Sequence, residues 1–216
     1  MIDEQTEKRK SSFWRELPIL LGVAVLVAVL VRAFVLQTFY IPSPSMEHTL
    51  NVLDRVLVNK LVYDFRDPKR GEIIVFEAPT EWQSGAEGED FIKRIIGVPG
   101  DHISYDPAVK KLSINGVLLD EPYIYRNAEG QQDDPADAKF DIVVPPDRLW
   151  VMGDHRSASG DSLEHYQDSE ENIQEATIPE DSIVGRAFTV FWPVNRATWL
   201  TVPNGFDKIP DATAAK

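Results

Sequence analysis

The segment "LPILLGVAVLVAVLVRAFVLQTFYI", residues 17–41, holds a single charged residue, Arg32, and constrains the chain more than any other stretch. At about 1.5 Å of rise per residue, about 20 helical residues cross the hydrocarbon of a bilayer. Leu17–Leu36 is a run of that length. A buried helix of a soluble protein keeps a polar side for water, whereas here Val and Ala fall on every face. Arg32 lies near the far end, where its stem can stay in lipid while the guanidinium reaches the headgroups. A cleaved leader would need a small-x-small site after the apolar core, and "LQTFYIPSPS" offers Phe39, Tyr40 and Pro42 instead. The expectation is one retained transmembrane helix over 17–38, preceded by a cytoplasmic segment, 1–16. Lys8, Arg9, Lys10 and Arg15 precede the span, and no Lys or Arg lies between Ala33 and Asp54. That bias keeps the amino terminus in the cytoplasm and puts residues 39–216 on the other side of a cell membrane.

The rest of the chain reads as strands and turns. "RVLVNKLVYDF" (55–65), "EIIVFEAP" (72–79), "DFIKRIIGV" (90–98), "KLSINGVLLDE" (111–121), "FDIVVPPDRLWVM" (140–152) and "SIVGRAFTVFWP" (182–193) are short and rich in β-branched and aromatic residues. Gly, Pro, Asn and Asp bound them. Asn115-Gly116 between "KLSI" and "VLLD" predicts a hairpin with a type I′ turn. No helix of convincing length is predicted after residue 41, and there is no repeat. The domain is mainly β, with antiparallel sheet. Two acidic segments, 126–139 and 163–176, have too little apolar content to build core and are expected to be surface insertions.

Composition narrows the chemistry. The net charge of −13 argues against a nucleic-acid surface, which needs clustered Lys and Arg. There is no cysteine, so disulfides, thiolate nucleophiles and thiolate metal sites are excluded. No ligand spacing for a metal is recognisable in the acidic segments. A hydrolase nucleophile would then be Ser or Thr, with a base beside it. His48, His102, His155 and His165 lie in polar settings and in no triad signature, which fits surface histidines. A lysine serves as base if burial lowers its pKa. Lys93 stands among Ile92, Ile95 and Ile96. By strand alternation one of Lys93 and Arg94 points inward while the other meets solvent. Taken alone, the residues favour an outward-pointing lysine on an edge strand over a buried base.

Several short boxes, in order, resolve this choice. "PSPSM" (42–46), "RGEIIVF" (70–76), "FIKRIIGVPGD" (91–101) and "MGDHRSASGDS" (152–162) follow the apolar segment. In this the chain resembles the type I bacterial signal peptidases, membrane-bound serine proteases that remove signal peptides from exported proteins. The likeness spans residues 14–193. It implies an antiparallel β catalytic domain of signal-peptidase type, Ser45 as nucleophile and Lys93 as general base, and no cofactor or metal. It further implies an oxyanion hole of the Ser45 N–H and the Ser43 hydroxyl, and a hydrogen bond between Ser159 and the lysine. Asp154, Arg156 and Asp161 match positions of a structural polar network. Ile41, Pro42, Met46, Leu50, Phe91 and Ile92 correspond to the wall of pockets for the small side chains of a signal peptide. The implied partners are exported preproteins and the lipid bilayer. His155 replaces the usual Asn of the last box, Leu163 stands where Arg is common, and "EHT" (47–49) replaces x-P-T. A membrane-tethered β module that only binds partners, and a self-cleaving Ser-Lys regulator, are the alternatives. The anchor argues against the second.

Overall fold

The computed structural model describes residues 16–27, 29, 31, 35–83 and 89–212. The chain divides into two units, 1–37 and 38–216. In the first, residues 16–27, 29 and 31 are helical, and Leu17, Leu20, Val23 and Leu26 are exposed. Among the described residues no helix is long and apolar enough to cross a membrane. Arg32 and the basic residues Lys8, Arg9, Lys10 and Arg15 lie outside the described residues. At its far end the expected span is corrected: Leu36–Tyr40 is a strand, β1, so residues 36–38 are not helical. The sequence "LQTFY" carries β-branched and aromatic residues, and the strand lies beside β2 (Arg55–Asn59) in the sheet.

The second unit contains two sheets. The larger has eight strands in the order β1, β2, β11 (Ile183–Trp192), β3 (Ile73–Glu77), β4 (Asp90–Gly97), β9 (Arg148–Met152), β10 (Ile178–Pro179), with β12 (Thr198–Trp199) paired to β11. The smaller holds β7 (Val117–Leu118), β6 (Lys111–Ile114), β5 (His102–Asp106) and β8 (Phe140–Val143). The pairings among β2 to β12 are antiparallel, as the sequence predicts. The β6–β7 hairpin turns at Asn115 and Gly116, whose φ values of 52° and 82° place both residues left-handed, as a type I′ turn requires.

The middle of the large sheet is covered on both faces, which explains why β3 reads as a continuous apolar run instead of alternating. Ile73 and Val75 enter one core cluster with Ile41, Met46, Leu50, Val56 and Val190. Ile74 and Phe76 enter another with Trp82, Ile95, Leu149 and Val151. A third cluster, around Trp150, Phe140, Ile103 and Leu112, joins the small sheet to β9.

The acidic segment at 163–176 contributes more than the sequence predicts. It folds as two short helices, α1 (Ser162–Asp168) and α2 (Ile173–Ala176), and puts Leu163 and Ala176 into the third cluster. Ala136 of the other acidic segment joins them. The helices are too short for periodicity to reveal them, and side-chain caps start each one. Asp161 accepts from the Leu163 N–H, and Asn172 accepts from the Gln174 N–H.

Candidate functional site

Lys93 and Arg94 are adjacent on β4 and both are buried, at 4% and 2% exposure. The expectation that one of them meets solvent is therefore corrected. β4 lies inside the sheet between β3 and β9, not at an edge, so both of its faces are packed. Burial makes each charge expensive unless it is paired or neutralised, and the two residues solve the problem differently.

Arg94 is paired. Its Nε donates to Asp154 Oδ1 at 2.8 Å, one terminal nitrogen to Asp154 Oδ2 at 2.6 Å, and the other to the Gly71 carbonyl at 2.8 Å. Its guanidinium carbon lies 4.2 Å from the centre of the Tyr123 ring. Asp154 also accepts from the Thr49 hydroxyl, which ties residues 41–54 to the sheet. Ser45 belongs to this irregular segment and is 7% exposed. Met46 and Leu50, on either side of the turn that follows, are fully buried.

Among the described residues Lys93 has no such partner. Its Nζ lies 5.9 Å from the centre of the Phe91 ring. Desolvation pulls its pKa down from 10.5 to about 8, against the upward influence of Asp161, Glu164 and Asp154. The pairing of Arg94 with Met152 brings Lys93 level with Gly153. A Cβ at Gly153 would lie 2.3 Å from Ser159 Oγ and 2.4 Å from the Ser45 carbonyl oxygen, so only glycine allows these elements to converge here. Among the described residues no hydrogen bond joins Lys93 to Ser45 or to Ser159.

The last box, 152–162, folds back on β9 through its own side chains. Asp161 accepts from Ser159 Oγ at 2.7 Å, from the Gly153 N–H at 2.8 Å and from the Leu163 N–H at 3.1 Å. Ser162 Oγ accepts from the Val151 N–H at 2.9 Å. Arg156 donates to the Gly153 and Pro135 carbonyls and to Glu121. The Ser159 proton goes to Asp161, so this hydroxyl has only lone pairs to offer a lysine. The resemblance had implied a direct bond between Ser159 and Lys93. Ser43 Oγ lies 3.3 Å from Ser45 Oγ. The Ser45 N–H donates to no group among the described residues.

The six apolar residues expected to form one pocket wall are divided. Ile41, Met46 and Leu50 are core residues, with Ile92 packed against them. Phe91 packs with the cluster around Phe76, 6.3 Å between ring centres. Pro42 is exposed. Neighbouring strand residues point to opposite faces, which separates Phe91 from Ile92. Sequence reasoning gave Thr49, Gly153 and Glu121 no role and Arg94 no partner. The signal for Arg94 was its place beside Lys93 in an otherwise apolar run.

A family model described as signal peptidase, peptidase S26, matches residues 14–192. The probable signal peptidase I-2 of Synechocystis sp. is 40% identical over 205 residues, covering 93% of this chain and 85% of that protein. Signal peptidase I of Leptolyngbya laminosa is 39% identical over 190 residues, 86% of this chain and 83% of its own length. A solved signal peptidase I from Enterococcus faecalis is 26% identical and covers 56% of this chain and 97% of its own, with a TM-score of 0.41.

Removing one partner from the buried pair strands the other charge. Asp154→Ala is expected to lower stability by roughly 3–5 kcal/mol, read by denaturant unfolding of the full chain in detergent. Arg94→Met added to Asp154→Ala should recover part of that loss. A double variant no more stable than Asp154→Ala would show that the two side chains are not coupled.

Proposed function

The chain belongs to the signal peptidase family, peptidase S26, and is a serine endopeptidase, and we propose that it cleaves the amino-terminal signal peptides of exported preproteins with Ser45 and Lys93. The observation that carries this reading is a buried lysine with no counter-ion bonded to it, its pKa lowered to about 8, level with the glycine against which the Ser45 segment packs. A lysine kept for structure would be paired, as Arg94 is.

In this mechanism neutral Lys93 takes the Ser45 hydroxyl proton as Oγ bonds to the scissile carbonyl carbon. The tetrahedral oxyanion is stabilised by the Ser45 N–H, which has no acceptor among the described residues, and by the Ser43 hydroxyl beside it. As the C–N bond breaks, the Lys93 ammonium returns its proton to the leaving amine. Lys93 then takes a proton from water as its oxygen bonds to the acyl carbon, and when the C–Oγ bond breaks the Lys93 ammonium returns that proton to Ser45 Oγ. Asp154, Arg156 and Asp161 hold the surrounding backbone. Ser159, its own proton committed to Asp161, leaves the lysine lone pair free for the nucleophile. Of the expected pocket wall, the exposed Pro42 and the half-buried Ile92, on the opposite face of β4 from Phe91, are left to meet small residues before the cut.

The exposed Leu and Val side chains at 17–31 support the membrane anchor expected from sequence. In this reading the chain is a single-pass protein of the cell membrane, its amino terminus in the cytoplasm and 39–216 outside. A substrate whose own apolar helix occupies the same bilayer would present its cleavage site at the surface where Ser45 follows the anchor.

Turnover of a preprotein should vanish in Ser45→Ala. In the wild type it should rise with pH to a plateau with a midpoint near 8, because below that pH Lys93 carries a proton and cannot accept another. Lys93→Met should be inactive yet at least as stable at neutral pH. The folded-state pKa lies below the unfolded one, so the burial penalty is fully present below about pH 8 and is lost as pH rises toward 10.5. That penalty is about 3 kcal/mol at about 1.4 kcal/mol per unit. A flat pH profile, or an active methionine variant, would remove Lys93 from the mechanism.

Ser43→Ala should reduce kcat by about 2–4 kcal/mol of transition-state stabilisation with folding intact; an unchanged rate excludes this hydroxyl from the oxyanion hole. For topology, a reporter fused after Lys216 should be active only outside the cytoplasm, and activity inside would reverse the proposed orientation.

A further inference from the structure

The backbone carbonyls of Pro44 and Ser45 are both gripped by a residue that the mechanism above leaves unused. The His155 N–H donates to the Ser45 carbonyl at 3.1 Å, and His155 Nδ1 lies 3.3 Å from the Pro44 carbonyl oxygen. A carbonyl only accepts, so Nδ1 carries the hydrogen in that contact. The Pro44 oxygen also accepts from the Glu47 N–H at 2.8 Å. The ring itself is well located. It stacks on Tyr125 with centres 3.8 Å apart, Glu47 Oε2 lies 3.5 Å from Nδ1, and Asp133 Oδ2 lies 4.0 Å from Nε2. Asp133 is in turn held by the Ser157 N–H and hydroxyl. The histidine side chain is 13% exposed, not the surface group that its sequence setting predicts.

In a trans peptide the C=O and N–H point in opposite directions. Fixing the Pro44 oxygen therefore fixes where the Ser45 N–H points. That N–H has no acceptor among the described residues although Ser45 is largely buried, and a buried backbone donor is rarely left without one. We propose that His155 is a positioning residue for the reaction: by bonding the Pro44 carbonyl it aims the Ser45 N–H at the oxyanion and polarises it. A hydrogen bond accepted at one end of a peptide strengthens donation at the other. Asparagine, the residue usual here in the pattern that the last box resembles, carries its amide nitrogen the same number of bonds from Cα as histidine carries Nδ1. The substitution thus keeps a donor in place. The inference rests on the reading that Ser45 is the nucleophile.

The test compares His155→Phe with His155→Asn in the full chain in detergent, against a peptide spanning a small-x-small cleavage site. Phenylalanine keeps a ring on Tyr125 but has no donor; asparagine loses the ring and keeps a donor. The expected result is a kcat lowered about tenfold or more for His155→Phe with KM unchanged, and a kcat within about threefold of wild type for His155→Asn. Wild-type turnover in His155→Phe, or an equal loss in both variants, would overturn the proposal, since packing alone favours the ring. If thermal unfolding shows His155→Phe to be unfolded at the assay temperature, the near-isosteric pair His155→Leu and His155→Asn gives the same comparison. There the leucine variant should be the slower, and equal rates would overturn the proposal. Ser45→Ala separates the two levels. If it still turns over, the nucleophile reading falls and the inference with it. If it is inactive while His155→Phe is normal, only the inference falls.

Discussion

The buried ion pair between Arg94 and Asp154 is the constraint on which the site's geometry depends. It joins three pieces of chain: β4, the loop that leaves β9, and the irregular segment that holds Ser45, reached through the Thr49 hydroxyl. Such a pair is weak evidence for stability, because desolvating two charges offsets most of their attraction. Its value here is positional. A bidentate guanidinium–carboxylate contact tolerates little rotation, so placing Asp154 also places Gly153 and His155, the two residues that meet the Ser45 backbone. Asp54 does similar work at the other end of the segment. It accepts from Arg196 and from the Asn51 N–H, while its carbonyl accepts from the Ile41 N–H.

Against this frame of satisfied charges Lys93 is the exception, and its situation follows from the sheet. A strand with partners on both edges and packing on both faces leaves no route to water for a side chain near its middle. Three carboxylates, Asp161, Glu164 and Asp154, favour the ammonium, yet desolvation outweighs them and the pKa falls to about 8. Were the site more open, desolvation would weaken and the nitrogen would stay protonated at neutral pH. Were the carboxylates removed, the lysine would be neutral more often but less basic. The chain lies between these limits, where a base is both available and strong enough to be useful. Asp161 contributes twice, as a charge near Lys93 and as the acceptor that turns the Ser159 hydroxyl proton away.

What was legible in the sequence tracks how local the governing physics is. The strands from residue 55 onward follow from β-branched runs and their punctuation, and the Asn115-Gly116 turn from two residues that accept positive φ. The short strands β5, β10 and β12 were not anticipated, since "HISYD" is half polar and the others are two residues long. α1 was hidden because a helix of seven residues rests on its cap and on Leu163, not on periodicity. Leu163 had read only as a departure from a pattern, and in the fold it is a core residue. Lys93 and Arg94 were legible as a pair needing an explanation. Alternation placed them on opposite faces but could not say that both faces are covered, because cover comes from distant segments. For the same reason Ile41, Met46 and Leu50 read as pocket wall by nearness to Ser45, whereas the turn they flank sends them into the core.

The same burial of Met46 and Leu50 explains how an irregular segment can hold the proposed nucleophile in one place. A loop free of sheet or helix bonds is ordinarily the most mobile part of a fold. Here Met46 and Leu50 are sunk completely into the cluster under β2, β3 and β11, and Ser45 precedes the first of them. Two non-glycine residues of the same segment, His48 and Leu53, have φ of 85° and 76°, a conformation that side chains disfavour and that survives only where surroundings over-determine it. The surroundings do so here: two buried apolar anchors, the carboxylate of Asp154 on Thr49, His48 Nδ1 at 3.1 Å from the Tyr123 carbonyl, and the His155 N–H on Ser45. A segment held at this many points gives up backbone comfort at two residues. In exchange Ser45 has a direction it could not keep on a free loop, and pre-set direction, more than any single contact, is what oxyanion stabilisation requires.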